Sequence, residues 1–489
     1  MTKAASTGQV RPCNVLVLLS DEQDALALGG AGHPWVHTPH LDALAARGTR
    51  FTRALTPSPI CVPARASLAT GRWVHQIGYW DNAMGYDGRV PGWGHALMAA
   101  GHRVESIGKL HYANAQAPTG FSRQHEPLHL AGGIGQVWGS VRDPLPDAPR
   151  PSRIFDELGP GESRYNRYDQ ASAERAAQWL AERAAQPDPR PWALFVGFVA
   201  PHFPLVVPPR HLAGIPIDAL PLPRLHPREG TPRHPWVQRF VDFTDDDAAL
   251  GTDARRRLAL ACYYGLVNFL DERVGVVLDA LHRLGLAGDT LVIFSSDHGD
   301  NQGVRGLWNK SMLYRESTAV PLLVAGPGMP EGHACGTQVN LVDLAPTITQ
   351  AIGVPPAAGW AGRALQAVAA EADDPARIGF SEYHAVGSPT AAYLLRQGPW
   401  SYHHYVGYRP ELFDQRSDPG QARNLAGDAV HAAVVAHFEA LLRERLDPEA
   451  TDRRAKADQK ALVARFGGRD QALRTGPVGA SPVPGHTRP

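Results

Sequence analysis

Asp21, Glu22, Asp297 and His298 each stand just past the end of an apolar run, and their side chains are of the kind that hold a divalent cation. Two carboxylates and an imidazole drawn together need a cation between them, or like-charge repulsion raises a pKa. Oxygen-rich donors suit a hard or borderline divalent ion: Ca²⁺, Mn²⁺ or Mg²⁺. Glu22 is either a further ligand or a partner that orients one. Taken singly, Asp21 also reads as a turn cap and Asp297-His298-Gly299 as a tight loop. The second constellation is Cys61-Val62-Pro63-Ala64-Arg65. Pro63 suits the first turn of a helix. Cys61 would then sit at a helix N-terminus, where backbone N–H groups favour an anion, with Arg65 one turn on to brace it. A lone cysteine before a helix is more often a plain structural thiol.

Further cations and proton carriers are spread along the chain: Lys109 and His111 in Gly108-Lys109-Leu110-His111, His202 after Pro201, and Lys310. Each alone has a plainer reading. Lys109 could be a solvated loop lysine, His111 could satisfy a buried carbonyl, His202 could belong to a simple turn, and Lys310 could pair with Glu316. Asn82 either binds an anion or closes its own turn. Trp80, Trp93, Tyr112 and His384 are candidates for an organic wall, able to hold a quaternary ammonium by cation–π attraction, or an aryl or sugar face. Each also reads as an ordinary core aromatic.

These residues can meet only if the strands carrying them end together. Residues 15–19, 191–199 and 290–294 are apolar runs that read as buried parallel strands, and ligands gather at the carboxyl ends of such strands. Thr38-Pro39 predicts an N-cap and a helix start. An apolar stripe through Leu260, Val267, Val274 and Leu281 predicts a long amphipathic helix near 253–284. Strands alternating with helices predict an α/β fold: a large, mostly parallel central sheet sandwiched by helices. Two Pro-rich stretches, 116–164 and 201–235, read as site walls or lids. A compositional shift near residue 371 puts the end of a catalytic domain at 1–375. It precedes a C-terminal subdomain, 376–466, with a small antiparallel sheet and a closing helix near 430–446. Residues 467–489 read as a flexible Gly/Pro-rich tail.

Cys61-x-Pro63-x-Arg65 followed by Thr70-Gly71-Arg72 resembles the signature of the type I sulfatases of the alkaline phosphatase superfamily. Similar elements recur along most of the chain: Thr38-Pro39-His40-Leu41-Asp42, Gly108-Lys109-Leu110-His111, Pro201-His202-Phe203-Pro204, Ser296-Asp297-His298-Gly299 with Lys310, and Glu411-Leu412-Phe413-Asp414. Ala64 departs from the usual Ser, and Asp297-His298 from the usual Asp-Asn. The His variant and Trp80-Asp81-Asn82-Ala83 look like the choline-sulfatase and phosphonate monoester hydrolase branch. The resemblance implies an alkaline phosphatase-like fold and hydrolysis of a sulfate ester of a small molecule. It also implies formylglycine made from Cys61 by a formylglycine-generating enzyme, and one divalent metal on Asp21, Asp297, His298, position 61 and, in some reading, Glu22. The implied roles are nucleophile at position 61, acid at His202, base at His111, and charge stabilisation by Lys109, Lys310 and Arg65. Asn82, Trp80 and His384 would touch substrate. Rival readings are a phosphodiester or phosphonate monoester hydrolase of the same superfamily, and a non-catalytic binding protein on this scaffold.

Composition narrows the partners. Lys+Arg and Asp+Glu are 48 each, so no global field attracts nucleic acid or an anionic membrane. No apolar run approaches the length of a membrane span or a signal core. Four cysteines without metal or disulfide spacing fit a reducing cytoplasm. The tail after Gly467 could reach a neighbouring subunit of a homo-oligomer.

Overall fold

The apolar run at 15–19 does become a buried strand, and it runs through the middle of the molecule. The computed structural model describes residues 11–146, 152–474 and 481–484; the expected tail residues 475–480 and 485–489 lie outside the described residues. In space, the main sheet runs His333–Cys335, Gly48–Phe51, Leu322–Ala325, Thr290–Ser296, Asn14–Asp21, Trp192–Pro201, Arg103–Lys109, Arg123–Leu128. The last five strands are mutually parallel, and Leu322–Ala325 lies antiparallel to both its neighbours.

Side chains alternate across a strand, and Asn14–Asp21 shows where each face goes. Val15, Val17 and Leu19 pack with Leu68, Leu344 and Ile348. Leu16 and Leu18 pack on the opposite face with Trp179, Leu270 and Val274. Helices thus cover both sides, and a strand so enclosed must be apolar at every position. Each such fully buried side chain contributes about 1.5–3 kcal/mol. The long helix is Asp253–Arg283, opened by Thr252, whose side chain accepts the Arg255 N–H. The predicted cap at Thr38 is realised differently. Pro39 and the helix Pro39–Ala46 follow it, but the His40 and Leu41 N–H groups donate to Asp271 of the long helix, at 3.1 and 2.9 Å. Thr38 instead hydrogen-bonds Asp42 and the Gly29 N–H.

A separate antiparallel sheet is built from Gly379–Tyr383, Ala392–Gln397, Trp400–Tyr405 and Glu411–Asp414 in sequence order. The helix Ala432–Arg445 closes it, with Phe438 and Leu442 packed on Tyr402 and Leu412. Two further helices follow, Pro448–Arg465 and Arg469–Arg474. The second falls within the span expected as tail; its Ala472 packs with Val137, Val141 and Val463. Among the described residues no helix is long and apolar enough to cross a membrane.

Candidate active site

Strand register brings the ligand-type residues together. Ser20 pairs with Ser296 and Asp21 with Pro201, so three parallel strands end level. Asp21, Asp297–His298 and His202 therefore emerge at one carboxyl edge. The Cys61–Thr70 helix points its N-terminus at the same place, and all ten of its residues are buried. Its Val62 N–H, one of the groups a helix leaves unpaired, donates to Asn82 Oδ1 at 3.1 Å.

Cys61 Sγ lies 3.2 Å from His298 Nε2 and 3.6 Å from Asp21 Oδ1. Together with Asp297 these groups offer four buried ligand atoms within 4.8 Å of one another. His298 Nδ1 is 2.9 Å from the Gly299 carbonyl. That acceptor fixes the proton on Nδ1 and leaves the Nε2 lone pair facing Asp297 Oδ1 at 3.6 Å. An imidazole nitrogen, two carboxylates and a sulfur converging at this spacing are donor types that hold a divalent ion, so the set fits one.

Positive charge surrounds the cluster. Arg65 places Nε 2.7 Å from Asp297, one terminal nitrogen 2.9 Å from Asp21 and the other 3.1 Å from the Lys109 carbonyl. Burial would lower its pKa, but Asp297 and Asp21 outweigh that and raise it. Lys109 Nζ is 2.6 Å from Asp21. Burial opposes ionisation of Asp21, yet Lys109, His202 and Arg65 hold its carboxyl well below the usual range. Burial, with Asp21 beside it, pushes the Cys61 thiol far up, so the unmodified residue is a poor thiolate.

Glu22 lies beside this set. Its Oε2 is 2.8 Å from Lys310 Nζ and 3.5 Å from His202 Nε2, and with Asp21 and His202 it offers a second group of buried ligand atoms within 4.8 Å of one another, so it sits as a partner of Lys310 and as a candidate ligand beside the Cys61 cluster. Lys310 thus pairs with Glu22 and not with Glu316. His202 Nδ1 is 2.7 Å from the Phe203 carbonyl, which turns Nε2 inward. Burial, then Lys310 and Lys109, hold the His202 pKa well below its ordinary value; burial and Lys109 do the same to His111. His111 Nε2 meets the Ser481 hydroxyl at 2.9 Å, so the described end of the chain touches the site.

A cavity of about 910 Å³, counting its open mouth, reaches Cys61, Asn82, His111, His202 and Lys310. Two expected substrate contacts are corrected here. Trp80 is buried away from the cavity wall, with Nε1 2.8 Å from Asp458. His384 is buried against it, with Nε2 2.8 Å from Glu382. Both belong to packing between the Trp80–Asn82 loop and the C-terminal elements. Trp93 and Tyr112 are core aromatics, packed on Phe121 and Tyr86. The aromatic wall comes instead from Trp138, Phe203, Phe240 and Trp308. Phe203 stood beside a quoted motif; Trp138 sits in a single 3-10 turn, Val137–Ser140, and Phe240 in the helix Pro235–Phe243, and neither local sequence carries a signal of facing a site.

A parallel sheet with a buried carboxylate–imidazole cluster at its carboxyl edge, ringed by Arg and Lys, defines an enzyme that acts on an anionic ester. Residues 13–354 match the sulfatase family, and residues 303–447 match one described as N-sulphoglucosamine sulphohydrolase, C-terminal. The chain belongs to the sulfatase family, within the alkaline phosphatase superfamily, and is a sulfuric-ester hydrolase. Choline-sulfatase of Rhizobium meliloti is 29% identical over 95% of this chain and 92% of its own length. Arylsulfatase K of Bos taurus is 28% identical over 84% and 78%. In three dimensions the chain is similar to the phosphonate monoester hydrolase of Agrobacterium radiobacter, with TM-score 0.74, 25% identity, and 89% and 95% of the two chains covered.

Proposed function

We propose that this protein hydrolyses a small-molecule sulfate ester with formylglycine at position 61 and one divalent ion, Ca²⁺ favoured, held by Asp21, Asp297, His298 and that side chain. The observation that carries this is the Cys61 side chain lying against His298 Nε2 and Asp21 Oδ1. The ion would supply Lewis acidity toward residue 61. Formylglycine, made by a converting enzyme, would supply an oxygen nucleophile able to release sulfate by reverting to the aldehyde, which neither Ser nor Cys can do. Lys109 and Lys310 neutralise the sulfate oxygens. Arg65, with every nitrogen engaged, positions Asp21, Asp297 and the Lys109 backbone. His202 Nε2 passes the proton to the leaving alcohol, and His111 takes one during sulfate release.

The test has two parts. Mass spectrometry of the peptide carrying residue 61, from a host with the converting enzyme, should show the aldehyde in place of the thiol. An aryl sulfate should be turned over faster than an aryl phosphonate monoester. Phosphonate preference by orders of magnitude would make this a phosphonate monoester hydrolase, the reading that the structural likeness to the Agrobacterium radiobacter enzyme favours. All four cysteines are free of disulfides, which supports the cytoplasm as its place of work; recovery in an oxidising compartment on cell fractionation would refute that.

A further inference from the structure

We propose that Tyr263 is a positioning residue of the hydrolytic site: its hydroxyl holds Glu22 in the turn that aims the Glu22 carboxylate at Lys310 and His202, the groups on the leaving-alcohol side. This rests on the sulfate-ester function above, with His202 as the acid, and adds a residue away from the substrate on which that acid depends.

Glu22 follows Asp21 directly, and consecutive side chains of a strand point to opposite faces. Here both reach one site. Asp21 faces Arg65, Lys109 and Cys61, while Glu22 Oε2 lies 2.8 Å from Lys310 Nζ and 3.5 Å from His202 Nε2. The backbone allows this by leaving the strand at Glu22, where φ is +73°. That left-handed conformation costs a residue with a side chain free energy, and it persists only where the surroundings over-determine it.

The surroundings do so from two layers. From the sheet, Asp297 Oδ1 accepts the Glu22 N–H at 3.1 Å and Ser296 Oγ accepts the Gln23 N–H at 2.8 Å. From the helix layer comes Tyr263, on the long helix Asp253–Arg283 and 2% exposed. Its hydroxyl donates to the Glu22 carbonyl and accepts the Asp24 N–H, both at 2.9 Å. One oxygen thus closes the turn across residues 22 and 24. The ring is buried in one apolar cluster with Leu260, Val267 and Trp308, which fixes where the hydroxyl stands. Asp24 is anchored on its far side, where its carboxylate accepts the Leu26 N–H at 2.7 Å and a Gln302 Nε2–H at 2.9 Å. Tyr263 shares a smaller hollow with Phe203 and Trp308 and is not on the wall of the cavity that reaches residue 61. It therefore acts through Glu22 and not on the substrate. Without the hydroxyl the turn relaxes toward extended backbone and swings the carboxylate off Lys310 and His202. Asp21 keeps Arg65 and Lys109, so the loss falls on protonation of the leaving group, where a small misplacement is costly.

The experiment uses Tyr263→Phe, which keeps the ring and removes the hydroxyl. It compares kcat/KM for 4-methylphenyl sulfate, whose phenolate leaves poorly without a proton, with kcat/KM for 4-nitrophenyl sulfate, whose phenolate needs none. Tyr263→Phe should lower the first about tenfold more than the second. The ratio is read on a single preparation, so a partly unfolded sample does not alter it. In a Glu22→Gln background, which already lacks the carboxylate, Tyr263→Phe should change the ratio no further. Equal losses on both esters, or no loss on either, overturn the proposal. So does a full further tenfold change in the Glu22→Gln background. A wild type that prefers phosphonate monoesters overturns the sulfate-ester reading alone, and the same two leaving groups on a phosphonate then decide Tyr263 by the same ratio.

Discussion

Arg65 has no spare donor: its three nitrogens reach Asp297, Asp21 and the Lys109 carbonyl. Lysine is a point charge and cannot reproduce that fork. Arg65→Ala should cost about 3–5 kcal/mol, as expected for a buried pair that loses one partner. Arg65→Lys should also lower denaturant stability, though less. Equilibrium denaturation checks both, and a wild-type midpoint for Arg65→Ala would refute the bracing role. His202 invites a different measurement. Its pKa is lowered by burial and by two lysines, so the protonated acid is abundant only on the acid side of neutrality. With His202 as acid, kcat/KM for an alkyl sulfate should fall as pH rises through that pKa. His202→Ala should flatten the limb and cost about 10²–10⁴-fold. A nitrophenyl sulfate, whose leaving group needs no proton, should lose far less; equal losses on both esters would exclude His202 as the acid. At this scale the sequence was most readable where chemistry is packed into one short stretch, as at Cys61–Arg65 and Asp297–His298. Trp138 and Phe240 were not found, because a wall residue needs no pattern in its neighbours. Trp80 and His384 were misplaced because a buried aromatic and a pocket aromatic look alike in sequence.

Among elements, the strands Arg103–Lys109 and Trp192–Pro201 are drawn unusually close where the site begins. A Cβ at Gly197 would lie 1.9 Å from the Lys109 carbonyl oxygen, and one at Gly108, where φ is +81°, would lie 2.2 Å from the Gly197 carbonyl oxygen. Gly197→Ala should therefore force the strands apart, displace Lys109 and lower both melting temperature and kcat. A variant with a wild-type melting curve and full activity would contradict the close approach. A neighbouring prop is Asp169, whose two oxygens accept the Val199 and Ala200 N–H groups at 2.8 and 2.7 Å, just before Pro201-His202. Asn has one acceptor where Asp has two, so Asp169→Asn should destabilise by about 1–3 kcal/mol, measured by chemical denaturation. The 15–19 and 290–294 strands and the long helix were legible, because burial on both faces and a helical stripe both leave periodic marks. The strand carrying Lys109 was not read as one: Arg103, Glu105, Ser106 and Gly108 break its apolar run, although it lies well inside the sheet.

The molecule as a whole braces its pocket from the C-terminal side. Gln459 of the helix Pro448–Arg465 donates to Asp81 at 2.7 Å and accepts from Arg142 at 2.8 Å, tying the Asn82 loop to the segment that carries Trp138. Ending the chain after Arg465 removes Ala472 from its packing on Val137 and Val141, and removes Ser481 from His111. Such a truncation should raise KM more than it lowers kcat for an aryl sulfate; unchanged kinetics would mean the last residues are idle. Chelation is a second whole-molecule test. Dialysis against a chelator should lower the melting temperature, and readdition of Ca²⁺ should restore it, by about 2.7 kcal/mol of stability at a hundredfold excess over Kd. Recovery with Mn²⁺ alone would reassign the ion. Contacts of this kind join segments hundreds of residues apart, and no local run of letters announces them. The burial of Cys61 carries a consequence for biogenesis. Its side chain is 1% exposed, reached only through the substrate cavity, and heads a helix whose ten residues are all buried, so a maturation enzyme cannot grip that segment once the sheet has closed. Under the proposed conversion to formylglycine, oxidation has to reach the nascent polypeptide before it collapses: native protein made without the enzyme should stay permanently immature when the two are mixed, while the urea-opened chain should convert.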